Sequence, residues 1–466
     1  MANDDFFQLD ILRGIPPPPL DEGFTQLINH FCLIKFNIFR KMPDHHNILE
    51  SKDQDFSHQN IENKAAKGIT YYTPAQDPPA GTTSDPQPDG SHPPKLFQPL
   101  KLRGLTLQNR IMLSPLCQYS AENGHHTAWH LTHLGGIIQR GPGLAMVEAT
   151  SVTAEGRITP EDSGLWLDSQ MEPLKKIVEF AHSQGQNIGI QLCHAGRKAS
   201  TVAPWLSSGG VATKEVNGWP DKVFAPSAIP YSEKLPFPKE MTIDDIESMK
   251  KAFVESVKRA VACGFDVIEI HNAHGYLLHS FVSPASNKRT DSYGGSFDNR
   301  TRLTRELVEL TRANIPKDMP LFLRISATDW LEGEKDMESW KVEDTVKLAG
   351  IIADMGVDLL DVSSGGNHPK QKLKTGPGYQ APFAKAVKEK LGDKLAVGVV
   401  GTITSGKQAQ QLLEEGLDLA IVGRMFQKNP GLVWTWAEEL GVQVNVANQI
   451  RWGFGGRPGA PKKGKM

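Results

Sequence analysis

The sequence predicts an α/β fold, a (β/α)8 or TIM barrel preceded by a largely disordered N-terminal extension. Three observations predict it. Beyond Leu96 the chain carries eight short runs rich in Val, Ile and Leu, and near-continuous apolar runs of this kind are typical of parallel strands covered on both faces. Segments of helical period separate the runs. The strand-then-helix alternation recurs eight times in roughly 350 residues, a usual allowance for such a barrel with insertions. A doubly wound open sheet, the alternative, calls for a glycine-rich turn after its first strand, and SPLCQYS (114–120) is not one.

In chain order the strands are read at 110–117, 143–150, 187–194, 265–272, 320–327, 357–364, 395–401 and 417–424. The helices between them carry their own punctuation. MEPLKKIVEFAHSQG (171–185) ends on a glycine suited to a helix C-terminus, and 242–264 opens on a Thr-x-x-Asp capping pattern and also closes on glycine. Further helices are read at 296–315, 340–356 and 405–416.

Ahead of the barrel, residues 1–94 are read as an extension and proline-rich linker without a domain. Between Thr73 and Pro99 stand eight prolines, which remove backbone donors, so this stretch is either a linker or an extended wrap. Residues 1 to about 72 show no sustained period. They read as an arm or docking segment, or as an upstream extension with Met42 as the true start. The barrel is expected over 95–454 and a solvated basic tail, with Lys462, Lys463 and Lys465, over 455–466.

Composition excludes several classes. Lys plus Arg number 51 against 53 acidic residues in 466, a net charge of −2, which offers no electrostatic footprint for nucleic acid or an anionic membrane. The most apolar N-terminal segment, Phe24 to Phe39, is interrupted by Asn29, His30, Lys35 and Asn37 and is too short to span a bilayer. No secretory signal pattern opens the chain. The four cysteines, 32, 117, 193 and 263, are widely spaced, so a reducing compartment, the cytoplasm, is expected.

Chemistry in such a barrel gathers at the C-terminal ends of the strands. There the sequence places Cys117 and Tyr119, Glu148 and Ala149, Gln191 with Lys198 soon after, His271, His274 and Tyr276, Arg324, Ser363 to Gly366, Gly401, and Gly423 with Arg424. Gly401-Thr402 and Gly423-Arg424 would let backbone N–H groups and a guanidinium hold a phosphate. Arg324 follows an apolar run and needs an anionic partner, either an acidic side chain or a cofactor that becomes anionic on reduction. His271 and His274 are three apart. A zinc site there lacks an obvious third ligand besides Glu148 or Glu269, and alternation is read as turning Glu269 to another face. As a pair of donors they suit an oxygen on which negative charge develops, and Tyr276 suits a proton donor.

The motifs SPLCQYS (114–120), QLCHAGRKA (191–199), APSAIP (225–230), the run from Glu269 to Arg300 containing SNKRTDSYGGSFDNR, FLRISATD (322–329) and IVGR (421–424) resemble the Old Yellow Enzyme family of flavin-dependent ene-reductases. They are most similar to its thermophilic-like branch, the NADPH dehydrogenases, over about Lys95 to Phe454. The resemblance implies noncovalent FMN, reduction by NADPH, and hydride delivery to the β-carbon of an activated alkene, such as an enone. It implies that His271 and His274 bind the substrate oxygen and that Tyr276 protonates the α-carbon. Cys117 would tune the flavin and Tyr119 would assist substrate binding, while Pro115 and Ala149 would lie along the cofactor. Gln191 and Arg324 would bond the pyrimidine side, and Gly401, Gly423 and Arg424 would take the phosphate. Lys198 would stand near the ribityl chain or substrate, and Arg451 would enter a partner subunit's site in a homo-oligomer.

Two departures stand out: the loop 200–224 is longer than in the compact bacterial form, and residues 1–94 have no counterpart there. Iron–sulfur relatives would need a cysteine cluster and a further nucleotide-binding domain; the four widely spaced cysteines form no such cluster, so that reading is disfavoured. The non-enzymatic alternative is a flavin-binding or structural module.

Overall fold

The computed structural model describes residues 62–455. The segment Phe24 to Phe39, Met42, Cys32 and the tail lysines lie outside the described residues.

All eight apolar runs form strands: β1 (Ile111–Leu113), β2 (Leu144–Ser151), β3 (Ile188–Cys193), β4 (Val267–Asn272), β5 (Leu321–Ser326), β6 (Leu359–Ser363), β7 (Ala396–Val400) and β8 (Leu419–Val422). They pair in parallel in chain order and close into one barrel, β8 meeting β1 through Ala420 opposite Ile111. β1 is shorter than its apolar run. Ser114 still donates to the Val422 carbonyl, but Pro115 has no N–H and the ladder stops.

The outer helices are α1 (Ala128–Ile138), α2 (Met171–Ser183), α3 (Ile243–Cys263), α4 (Arg302–Asn314), α5 (Val342–Asp354), α6 (Ala381–Leu391), α7 (Gly406–Glu414) and α8 (Leu432–Leu440). The caps read from sequence hold locally. Thr242 Oγ1 accepts from the Asp245 N–H, Asp245 accepts from the Thr242 N–H, and Gly264 closes α3 at φ 90°. The helix read at 296–315 divides at Thr301, whose hydroxyl donates back to the Phe297 carbonyl and competes with the helical ladder.

The barrel floor is apolar. Met112, Met146, Phe322, Leu359 and Ile421 fill it, and an antiparallel hairpin (Leu100–Leu102 with Leu105–Leu107) lowers Leu102 and Leu107 onto them, each burial contributing about 2 kcal/mol. With the floor sealed, ligand access is left to the opposite end. Of linker and wrap, the described proline-rich residues form the wrap. Asn109 Nδ2 holds the Gly81 carbonyl, Gln186 Nε2 holds the Ala80 carbonyl, and Thr83 bridges Val444. Side chains and loops of the barrel satisfy its backbone groups, so it needs no core of its own.

Candidate active site

The site is built on the turn after β4. His271 belongs to the strand and is buried; His274 has φ 61° and Gly275 φ 73°. A Cβ on Gly275 would lie 2.1 Å from the Gly366 carbonyl oxygen, so the turn runs backbone to backbone against the loop after β6 and only glycine fits. Ser326 at the end of β5 accepts from the His274 N–H at 2.9 Å and donates to the Gly365 carbonyl, which fixes the two loops together. Tyr276 caps the short helix Leu277–Val282.

This turn gathers three rings. His271 lies edge-on to His274 and to Tyr276, each at 5.1 Å between centroids. Burial, and then the charge of Arg324, lowers both imidazole pKa values well below their usual range, so both rings are neutral at pH 7. The Ala273 N–H donates to His271 Nδ1, leaving Nε2–H as a donor, and His274 Nε2 meets Ser363 Oγ at 2.8 Å. Burial raises the Tyr276 phenol well above its usual value, so its proton is retained.

Around the rings lie the other residues read from sequence. Cys117 and Tyr276 pack against the cluster of Ile158, Ala195, Ala199, Trp219 and Val223. Burial, with Asp162 and Glu148 adding to it, pushes the Cys117 thiol up, so the group is a neutral thiol and not an activated nucleophile. Tyr119 turns at φ 48°, and Ala149 is buried on β2. Lys198 donates to the carbonyls of His274 and Gly366, lies 4.3 Å from the Tyr231 ring and 5.6 Å from Tyr276, and is pushed down to about 7 by burial and then by Arg197.

Beneath the rings is a layer of polar side chains within the barrel. Gln191 donates to Glu269 at 2.7 Å, and Arg324 Nη1 donates to Ser114 Oγ while its Nε stands 3.2 Å from Asp361. The acidic partner that Arg324 required is therefore Asp361, which sequence reasoning missed. Its signal was an acid inside the apolar run LLDVS, the same signal that marked Arg324. The placement of Glu269 is also corrected. Residues two apart in a strand share a face, so Glu269 lies inward on the side of His271, in register with Gln191. Burial first, then Asp361, pushes Glu269 up to about 8, with Arg324 and Gln191 opposing.

The ends of β7 and β8 lie beside this layer. Gly401 (φ 126°) would press a Cβ to 2.9 Å from Gln380, Thr402 turns at φ 50°, and Arg424 Nη2 meets Thr402 Oγ1 at 3.5 Å. Two side-chain-free backbone segments with one cation fit a phosphate, and Arg324 in a polar layer fits a ring that gains negative charge. Arg451 is not brought to this rim. It follows the segment in which Asn445 pairs with Gly81 and Thr82, and Gly81 packs on Asn109 and Gly141, ahead of β1 and β2 at the opposite end of the barrel.

His271 Nδ1 accepts from the Ala273 N–H, which puts its hydrogen on Nε2, and His271 and His274 are not among the groups of three or more ligand atoms that lie close enough to surround an ion among the described residues. Among the described residues, His126, His130 and Glu148 do lie close enough to surround an ion. There the Thr127 N–H donates to His130 Nδ1, so the proton resides on Nε2, 3.7 Å from Glu148. That nitrogen carries its hydrogen and is therefore no ligand, and at 3.7 Å it makes no hydrogen bond to the carboxylate.

A family model described as NADH:flavin oxidoreductase / NADH oxidase matches residues 95–443. The chain belongs to that family. An NADH:flavin oxidoreductase of Gibberella zeae is 58% identical over 405 residues, 85% of this chain and 97% of its own. An NADPH dehydrogenase of a Geobacillus species is 42% identical over 362 residues, 77% of this chain and 98% of its own. Among solved structures, the Old Yellow Enzyme homologue from Zymomonas mobilis shares 26% identity at a TM-score of 0.60, over 76% of this chain and 95% of that one. A 2-naphthoyl-CoA reductase gives a TM-score of 0.66 at 21% identity, which shows the fold alone, and this chain spans only 56% of it. As a family member the protein is an FMN-dependent NAD(P)H oxidoreductase of the Old Yellow Enzyme type. No helix among the described residues is long and apolar enough to cross a membrane.

Proposed function

We propose that this flavin oxidoreductase uses NADPH to reduce the C=C bond of α,β-unsaturated carbonyl or nitro compounds. The observation that carries the reading is the group of neutral His271, neutral His274 and protonated Tyr276 at one point of the rim, above Arg324. FMN, when bound, supplies the hydride. Gln191, Arg324, Gly401, Gly423 and Arg424 would hold it, with Pro115 and Ala149 alongside.

The two imidazoles receive the substrate oxygen and stabilise the negative charge that develops on it; being uncharged before reaction, they bind a neutral ground state without full ion pairing. Tyr276 delivers its proton to the α-carbon. Tyr119 and Lys198 would border the substrate, Cys117 would offer the bound flavin a neutral thiol that tunes it, and Arg451 would act only from a partner subunit. NADPH as the reductant is supported by the Geobacillus relative's name.

Anaerobic mixing of the purified yellow protein with NADPH, followed by cyclohexenone, maleimide or a nitroalkene, tests this. Bleaching of the visible band followed by its return on adding the alkene is expected. Bleaching without return for all three classes of alkene refutes the substrate assignment, and absence of bleaching supports a binding module instead.

A further inference from the structure

The loop after β3 ends in an apolar tip that the chemistry above does not use. Its base is nailed down. Thr201 pairs with Val211, the Thr201 N–H and hydroxyl both donate to the Ile158 carbonyl, and Ser200 Oγ accepts from the Trp219 N–H. Trp219, from the same loop, is buried in the cluster on which Cys117 and Tyr276 pack, and its indole N–H donates to the Glu155 carbonyl. The tip is the opposite: Trp205 is 68% exposed and Leu206 is 70% exposed. A rigidly based loop that offers two adjacent large apolar side chains to water is costly unless something covers them.

Position decides what covers them. The Trp205 ring stands edge-on to Tyr119 at 5.6 Å between centroids, and Tyr119 borders the substrate in the reading above. A molecule held at His271 and His274 that extends past Tyr119 meets Trp205 next. We infer that Trp205 and Leu206 form an outer apolar subsite, and that the preferred substrates are activated alkenes bearing a large ring-containing apolar body beyond the reacting group. This rests on the proposed alkene reduction and adds to it the part of the substrate remote from the chemistry. Binding energy gained there acts on the whole molecule, so it appears as discrimination between long and short substrates.

The test compares two enones that differ only in that body: pent-3-en-2-one and 4-(2-naphthyl)but-3-en-2-one. The quantity read is the ratio of their kcat/KM values, naphthyl over methyl, in the wild type, in Trp205→Phe and in Trp205→Ala/Leu206→Ser. Intrinsic reactivity of the two enones cancels between proteins. The ratio is expected to fall about tenfold in the double variant, mostly through KM, the size of a lost large apolar contact, and to be largely retained by Trp205→Phe. A ratio within about twofold of wild type in the double variant overturns the subsite while leaving alkene reduction standing. A change in sedimentation coefficient in the double variant also overturns it, because the tip then belongs to a contact between copies of the chain. Failure of the wild type to reduce either enone removes the underlying reading, and the subsite with it.

Discussion

Glu269 lies fully buried within the barrel, and replacing it by glutamine has a consequence that can be worked out. Burial and the neighbouring Asp361 raise its carboxyl from the usual 4.5 to about 8, against the opposing pull of Arg324 and the Gln191 hydrogen bond. A carboxyl whose folded pKa is raised binds its proton more tightly in the folded chain than in the unfolded one. Its favourable contribution is complete below pH 4.5 and is lost as the pH climbs toward 8. At about 1.4 kcal/mol per pH unit the whole window is on the order of 5 kcal/mol, and the span from about pH 5.5 to about pH 7.5 covers roughly 3 kcal/mol of it.

Glutamine keeps the size and a polar contact for Gln191 but has no proton to lose. Glu269→Gln is therefore expected to gain on the wild type steadily as pH rises. Asp162, which burial raises to about 7, titrates in both proteins and cancels from the difference. Urea unfolding followed by tryptophan fluorescence, with FMN at one saturating concentration, reads the difference at each pH. A gap that stays constant to about 0.5 kcal/mol across that span, or that shrinks as pH rises, refutes the reasoning. Burial also raises the Asp361 carboxyl against the pull of Arg324, so Asp361→Asn should show a slope of the same sign.

Tyr276→Phe is expected to slow the alkene half-reaction by about 100-fold or more while NADPH oxidation stays near wild type; equal loss in both half-reactions contradicts the proton-donor role. His271→Ala and His274→Ala should each weaken binding of a phenol, read from the shift of the flavin band, by about tenfold, and unchanged affinity counts against the oxygen clamp. Gly275→Ala would place a methyl 2.1 Å from the Gly366 carbonyl at φ 73°, so a loss of about 2 kcal/mol or more is expected, and an unaltered melting temperature shows that the two loops part easily.

The barrel was legible because its signals are local: each strand is one apolar run, and five of the outer helices show their own period, as α3 shows its caps, whereas α1, α6 and α8 were not read individually. The rim was legible for a related reason. In a parallel barrel every strand ends at the same face, so the residue ending each run is a site candidate without knowledge of its neighbours. That logic located His271, Tyr276, Arg324 and Arg424. It failed where a side chain's meaning depends on another strand. Asp361 is only an acid in an apolar run until β6 pairs with β5 and sets it opposite Arg324.

The sequence by itself therefore determined the fold, the face on which the candidate site residues gather and their residue types, since these follow from periodicity and from the order of strands. Only the tertiary structure decided how those residues are charged and oriented. Burial beside Arg324 neutralises the histidines, burial and the charge of Asp361 raise the Glu269 carboxyl, the proline-rich segment lies as a wrap, and Trp205 stands against Tyr119. Each depends on solvent exclusion or on contact between residues distant along the chain, and neither quantity is carried by a local pattern.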